Sequence, residues 1–311
     1  MASEPYAYFN GDFVPVSQAK VSIMTHALNY GTGCFEGIRG NWNADEEQLY
    51  IFRLREHYQR LERSCKILKI KLPLGVDDLC NVTVELVRRN GYREDMYIRP
   101  LAYKGQAVVG VRLHGVEDAF SIFTVPFGNY LDVSNGIRCG TVGWRRVDDC
   151  AIPARAKVTG LYINSALAKT EAIENGYDEA IMLTNAGFVS EGSGENIFLV
   201  NDGVLVTPAP SESILVGITR ATVMQLAREE LGMPVVERQV AKSELYTAQE
   251  VFMTGTAAHI TPVLAVDRRD VGDGTIGPTT RRLMDIYFQA ITGRNKKYIG
   301  WCTPVYPKET R

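Results

Sequence analysis

The apolar positions of this chain recur at two periods, and the shorter one dominates. Two β-rich runs over 6–9 and 12–16, separated by Asn10-Gly11, predict a β-hairpin, because Asn-Gly takes up the positive-φ turn that joins two twisted strands. Strands follow over 48–53, 96–103 and 121–125. In the second of these, a period of two puts Tyr97, Arg99, Leu101 and Tyr103 on one face. The helical period appears over 54–68, where Leu54, Tyr58, Leu61 and Cys65 form one stripe with Arg60 beside it, and again over 77–90, ended by Gly91. Alone, Arg60 reads as a surface arginine whose stem lies along the apolar stripe. Residues 105–115 are a glycine-punctuated loop, and 128–136 carry the turn residues of a linker. Beyond the linker, strands are predicted over 137–144, 179–184, 196–201, 204–207, 235–240, 250–254 and 260–266. Helices are predicted over 162–175, from 213–220 to about 231, and over 279–291. The expected architecture is α/β (α+β), with domain 1–127, linker 128–136 and a strand-dense domain 137–311.

At 311 residues there is material for about two domains with sizeable cores. A net charge of -2 leaves no basic field for a nucleic acid backbone or an anionic membrane, so small-molecule partners are expected, with no nucleic acid and no membrane. The first twenty residues hold no apolar h-region, and no window reaches the roughly eighteen apolar residues of a membrane span. Cys34, Cys65, Cys80, Cys139, Cys150 and Cys302 show no Cys-x-x-Cys spacing and no histidine cluster. They read as reduced thiols of a cytoplasmic protein, with no metal site.

Candidate chemistry centres on Lys157, set among small and apolar neighbours. A desolvated setting with Arg155 two residues back would favour the neutral amine, the nucleophile of a Schiff-base lysine. The bland reading is a solvated lysine at a loop. Gly31, Gly33 and Gly37 let backbone approach a ligand or a neighbouring strand. An arginine between tyrosines, Tyr97-x-Arg99, needs an anion, either a partner glutamate or a substrate carboxylate. The segment from Val189 to Asn196 holds Glu191 and Glu195 among glycines, and by itself it reads as a surface turn. Gly217-Ile218-Thr219 at a helix start and Gly255-Thr256-Ala257-Ala258 after a strand offer N–H and hydroxyl donors for an anion, although capping and tight packing explain the same residues. A lysine, a carboxylate, phosphate donors and an arginine are together what pyridoxal 5'-phosphate requires.

The order Tyr30, Phe35-Glu36-Gly37-Ile38-Arg39, Tyr97-Ile98-Arg99-Pro100, Ala156-Lys157, Gly160-x-Tyr162, Ser190-Glu191-Gly192-x-Gly194-Glu195-Asn196, Gly217-Ile218-Thr219-Arg220 and Gly255-Thr256-Ala257-Ala258 resembles the class IV aminotransferases, in particular the branched-chain amino acid aminotransferases of bacterial type. The resemblance implies a fold-type IV enzyme with a small N-terminal α/β domain and a larger β-rich pseudo-barrel domain, assembled as a homodimer or higher homo-oligomer. It implies that Lys157 binds the cofactor aldehyde, that Glu191 pairs with the pyridine nitrogen and that Tyr162 hydrogen-bonds the phenolic oxygen. Arg60, Ile218, Thr219 and Thr256 would hold the phosphate. Tyr97, Arg99, Ala257 and Ala258 would receive substrate carboxylates, and Phe35, Gly37, Val111 and Phe127 would line the side-chain pocket. Tyr30 and Val111 match positions that reach a neighbouring subunit's site.

The activity so implied is transamination of L-leucine, L-isoleucine or L-valine with 2-oxoglutarate. Leu161 replaces a frequent asparagine, Phe127 stands where some relatives carry tryptophan, and Arg112 and His114 add charge near the pocket. The alternatives are therefore a D-amino acid or (R)-amine aminotransferase, an aminodeoxychorismate lyase, and a non-catalytic cofactor-binding protein.

Overall fold

A computed structural model describes residues 4–128 and 130–307. The chain forms two compact units that are not contiguous in sequence. One comprises the described parts of Met1–Gly128, Ala156–Gly160 and Gln289–Arg311; the other, those of Asn129–Arg155 and Leu161–Phe288.

The first unit is built on an eight-stranded sheet. Its strands lie in the order Cys302–Pro304, Gln48–Phe52, Ile38–Asn43, Met96–Lys104, Asp118–Pro126, Tyr6–Phe9 and Asp12–Pro15, with Gly33–Phe35 also paired to Met96–Lys104. The Asn10-Gly11 hairpin forms as its sequence demands, with both residues at positive φ. Met96–Lys104 runs along Asp118–Pro126 without a break in register. Met96, Ile98 and Pro100 are buried on one face, and Tyr97, Arg99 and Leu101 are half-buried on the other. Helices Leu54–Ile67 and Val76–Asn90 bury the predicted stripes, the first through Leu54, Tyr58, Leu61 and Cys65. Arg60 departs from the surface reading. It is 7% exposed and lies on the buried side of its helix.

Four elements of this unit carry no strong local pattern: the single turn of helix His26–Tyr30, and the strands Gly33–Phe35, Ile38–Asn43 and Cys302–Pro304. Glycine and asparagine in Ile38–Asn43 lower its strand propensity, and pairing with two neighbours overrides that.

The second unit holds a nine-stranded sheet in the order Val189–Gly192, Glu179–Leu183, Ile137–Arg145, His259–Val266, Glu250–Gly255, Asn196–Asn201, Val204–Pro208 and Val235–Arg238, with Arg269–Asp270 beside His259–Val266. Its pairings are mixed, parallel where Ile137–Arg145 meets Glu179–Leu183 and His259–Val266, and antiparallel around Glu250–Gly255. Central strands such as Glu179–Leu183 are buried at every position, which is why they read as continuous apolar runs and not as alternation. Val189–Gly192 corrects the surface-turn reading. Ser190, Glu191, Ser193, Glu195 and Asn196 are all buried.

Candidate active site

In the first unit, Lys157 is half-buried between buried Ala156 and Val158. Its carbonyl accepts from the Phe35 N–H at 3.0 Å, and its own N–H donates to Ser64 Oγ at 3.2 Å. The segment is thereby fixed to a strand on one side and a helix on the other. Two close backbone contacts hold the flank. Gly31 O accepts from Gly160 N–H at 3.1 Å and from Thr159 Oγ1 at 2.8 Å, and a Cβ on Gly31, at φ +65°, would lie 2.7 Å from Gly160 Cα. Arg155, the cation that the sequence offered to the lysine, is exposed and faces Asp149 at 3.8 Å.

Lys157 Nζ lies 5.0 Å from the centre of the Phe35 ring, and the Arg99 guanidinium lies 4.4 Å from the same centre. Arg99 donates to Tyr97 Oη at 2.8 Å, and its buried Nε has no hydrogen-bond partner. Among the described residues no carboxylate forms an ion pair with it. Tyr97 packs against Phe127 at 5.2 Å, and a Cβ on Gly37 would lie 2.2 Å from Tyr97 Oη. Phe35, Gly37, Tyr97, Arg99, Phe127 and Lys157 are thus one cluster. Arg60 is tied through Glu36 to the same segment, Glu36 lying between Phe35 and Gly37. Tyr30 and Val111 belong elsewhere. Tyr30 Oη accepts from Gly110 N–H at 3.1 Å, and Val111 is 78% exposed.

In the second unit, Glu191 is buried and three donors converge on it. Arg146 Nη2 reaches Oε1 at 2.7 Å, while Asn196 Nδ2 and Leu215 N–H reach Oε2 at 2.9 and 3.0 Å. A cation and two N–H groups are the setting in which a buried carboxylate keeps its charge. Arg146 was not anticipated from the sequence. It sits at the end of a strand run with nothing local to separate it from Arg145, and only the tertiary structure buries one and exposes the other. Asn196 also donates to Leu215 O at 2.8 Å, and a Cβ on Gly217 would lie 2.1 Å from Asn196 Oδ1, so glycine is required there. Gly217 begins the Ile218–Leu231 helix without a side-chain cap, and Thr219 is buried in its first turn.

Thr256 and Ala257 are half-buried and Ala258 is buried in the turn between two antiparallel strands. That turn closes at His259, held at φ 55° and packed on Tyr287 and Phe288 at 5.9 and 5.1 Å. Tyr162 is half-buried and opens the helix Tyr162–Glu174. Glu195, fully buried, has its carboxyl pushed up to about 8, first by desolvation and then by the nearby Glu179 carboxylate.

Residues 33–266 match the sequence pattern of the Amino-transferase class IV family. The chain belongs to the class IV aminotransferases. Among relatives of this class IV aminotransferase, it is 50% identical over 306 residues to a probable branched-chain-amino-acid aminotransferase of Aquifex aeolicus (strain VF5), covering 98% of each chain. A crystal structure of branched-chain aminotransferase from the archaeon Thermoproteus uzoniensis with norvaline superimposes with a TM-score of 0.94 at 45% identity, covering 98% of this chain and 100% of that one. The branched-chain amino acid aminotransferase of Thermobaculum terrenum, in its PLP-bound holo form, gives a TM-score of 0.93 at 40% identity, covering 99% of this chain and 100% of that one. The fold class is therefore that of the fold-type IV aminotransferases, mixed helix and strand as the sequence led us to expect.

Proposed function

We propose that this class IV aminotransferase moves the amino group of L-leucine, L-isoleucine or L-valine to 2-oxoglutarate with pyridoxal 5'-phosphate as cofactor. The observation that carries the reading is the amine of Lys157 and the guanidinium of Arg99 within 5.0 and 4.4 Å of one ring centre, with no carboxylate among the described residues paired to the arginine. A substrate that brings its own carboxylate to Arg99 is then close to the nucleophilic amine.

The residues fit the cofactor on two counts. Glu191 is built as a charged acceptor, the partner a protonated ring nitrogen needs. The start of the Ile218–Leu231 helix, without a side-chain cap, offers N–H groups to a phosphate. The relatives include one solved in its PLP-bound form. When bound, pyridoxal phosphate supplies an aldehyde that carries the amino group and a ring that takes up negative charge.

In this reading Lys157 would hold the cofactor aldehyde and would move the substrate α-proton as general base and acid. Glu191 keeps the proton on the ring nitrogen, and Tyr162 hydrogen-bonds the phenolic oxygen. Arg60, the Ile218 N–H, Thr219 and Thr256 hold the phosphate. Tyr97, Arg99, Ala257 and Ala258 receive carboxylates, and Phe35, Gly37 and Phe127 shape the side-chain pocket, with Val111, exposed in its own chain, completing the pocket of a second copy. Apolar rings accept a branched aliphatic side chain, while Arg99 with Tyr97 accepts the second carboxylate of 2-oxoglutarate.

The test is the visible spectrum of the purified protein before and after L-leucine, D-alanine or a primary amine. We expect L-leucine to convert the cofactor band and 2-oxoglutarate to restore it. Conversion by D-alanine or the amine alone would overturn the substrate assignment in favour of the D-amino acid or amine alternative, and pyruvate release from aminodeoxychorismate would favour the lyase.

We also propose a homodimer in the cytoplasm. Six cysteines without a disulfide support the compartment. Ile23, Met24, Leu28, Val109 and Val111 are exposed around the helix His26–Tyr30 and the loop joined to it by His26 N–H to Gln106 O, an apolar surface that a second copy would bury. Sedimentation at the mass of one chain would refute the dimer.

A further inference from the structure

The helix Leu54–Ile67 carries His57, Arg60 and Ser64 at intervals of three and four residues, which sets them on one face, and all three are buried. Ser64 Oγ receives the backbone N–H of Lys157. Arg60 and His57 converge instead on Glu36, whose side chain is wholly buried. Arg60 Nε donates to Oε1 and Nη2 to Oε2, both at 2.7 Å, and His57 Nδ1 reaches Oε2 at 2.7 Å. Burial by itself would raise the Glu36 carboxyl, but the charge and hydrogen bonds of Arg60, with the hydrogen bond of His57, outweigh it and hold the group at about 2. An ionised carboxylate only accepts, so the proton of His57 sits on Nδ1. Burial moves His57 itself downward, against the hydrogen bond and charge of Glu36, which raise it.

A guanidinium is a rigid planar fork, so gripping one edge at two points fixes the direction of the whole group. Glu36 makes that grip, and its chain neighbours bind the same neighbourhood. Phe35 N–H donates to Lys157 O, Glu36 N–H donates to Pro100 O, and Gly37 lies against Tyr97.

We propose that Glu36, supported by His57, is a positioning residue for cofactor binding: it locks the Arg60 guanidinium on the helix face that also anchors Lys157, so that the phosphate-holding group is set in advance relative to the amine. The inference rests on the assignment of Arg60 to the phosphate. Electrostatics alone argues the opposite sign, because a carboxylate beside Arg60 cancels charge that a phosphate would use. Removing Glu36 therefore strengthens phosphate recognition if charge dominates and weakens it if position dominates.

The experiment titrates full-length apoprotein with pyridoxal 5'-phosphate and, separately, with pyridoxal, and takes the ratio of the two affinities as the phosphate preference. Glu36→Gln lowers that preference about tenfold, the scale of one charge-assisted hydrogen bond, and changes pyridoxal binding by less than about twofold. A general loss of structure would weaken both ligands alike. Glu36→Asp keeps the charge but shortens the reach by one methylene, and it covers the case in which the glutamine variant does not fold; a partial loss of preference is expected from it. An unchanged or increased preference in the folded variants, while Arg60→Lys loses it, overturns the positioning role and leaves the Arg60 assignment standing. If Arg60→Lys keeps the preference, the phosphate assignment falls and the inference with it.

Discussion

Placing a methyl group on Gly37 gives the sharpest test of the Tyr97–Arg99 pair. The added Cβ would meet Tyr97 Oη at 2.2 Å, Cζ at 3.0 Å and Cε2 at 3.2 Å, so the ring must move. Tyr97 is held by Arg99 at 2.8 Å and by Phe127 at 5.2 Å, and any shift that clears the methyl group lengthens the bond to Arg99. A hydrogen bond to a charged group contributes about 1.5–3 kcal/mol, so Gly37→Ala should lower kcat/KM for L-glutamate by roughly 10- to 150-fold. Tyr97→Phe removes the same bond without a clash and should cost a similar amount. The bond can be lost only once, and the phenylalanine ring no longer carries the oxygen that collides. The double variant should then be less impaired than the product of the two single effects, with a coupling of about 1.5–3 kcal/mol. The assay is single-turnover conversion of the bound cofactor by L-glutamate for all four proteins, with thermal melts to show that each is folded. Additive effects would refute the argument, since they would mean that Gly37 and Tyr97 act on the reaction independently.

Two further outcomes follow from buried charges. The Glu195 carboxyl is raised to about 8 by burial and by Glu179, so the stability that goes with its neutral form is present below the ordinary carboxylate value and is lost as the pH rises through 8. Glu195→Gln should gain melting temperature relative to the parent between pH 5 and pH 9, and a pH-independent difference would sink the assignment. Arg146→Met leaves Glu191 buried without its cation, and breaking a buried pair at 2.7 Å should cost about 3–5 kcal/mol in denaturant unfolding and slow transamination at least tenfold. A variant of parental stability and rate would show that Asn196 and the Leu215 N–H suffice.

Periodicity and turn chemistry are local properties, and they were legible. The Asn10-Gly11 hairpin, the helices beginning at Leu54, Tyr162 and Ile218, and the strand Met96–Lys104 all follow from patterns within about fifteen residues. Residue chemistry in a recurring order was legible too, and the match over residues 33–266 agrees with what Lys157, Glu191 and the glycine-rich turns suggested. Burial of charged groups was not. Arg60 looks like a surface residue in sequence and nothing local singles out Arg146, because an arginine is buried where a distant partner neutralises it, here Glu36 and Glu191. The segment around Glu191 reads as a polar turn for the same reason, since the donors that make its burial tolerable come from Arg146 and Leu215, far away in the chain. Arg155 shows the converse: a cation two residues from Lys157 in sequence is exposed and turned to Asp149. The sequence by itself determined the elements and the set of reactive groups, because both depend on local pattern and residue type. Only the tertiary structure decided which charges are buried and what neutralises them, because that depends on contacts between residues far apart along the chain.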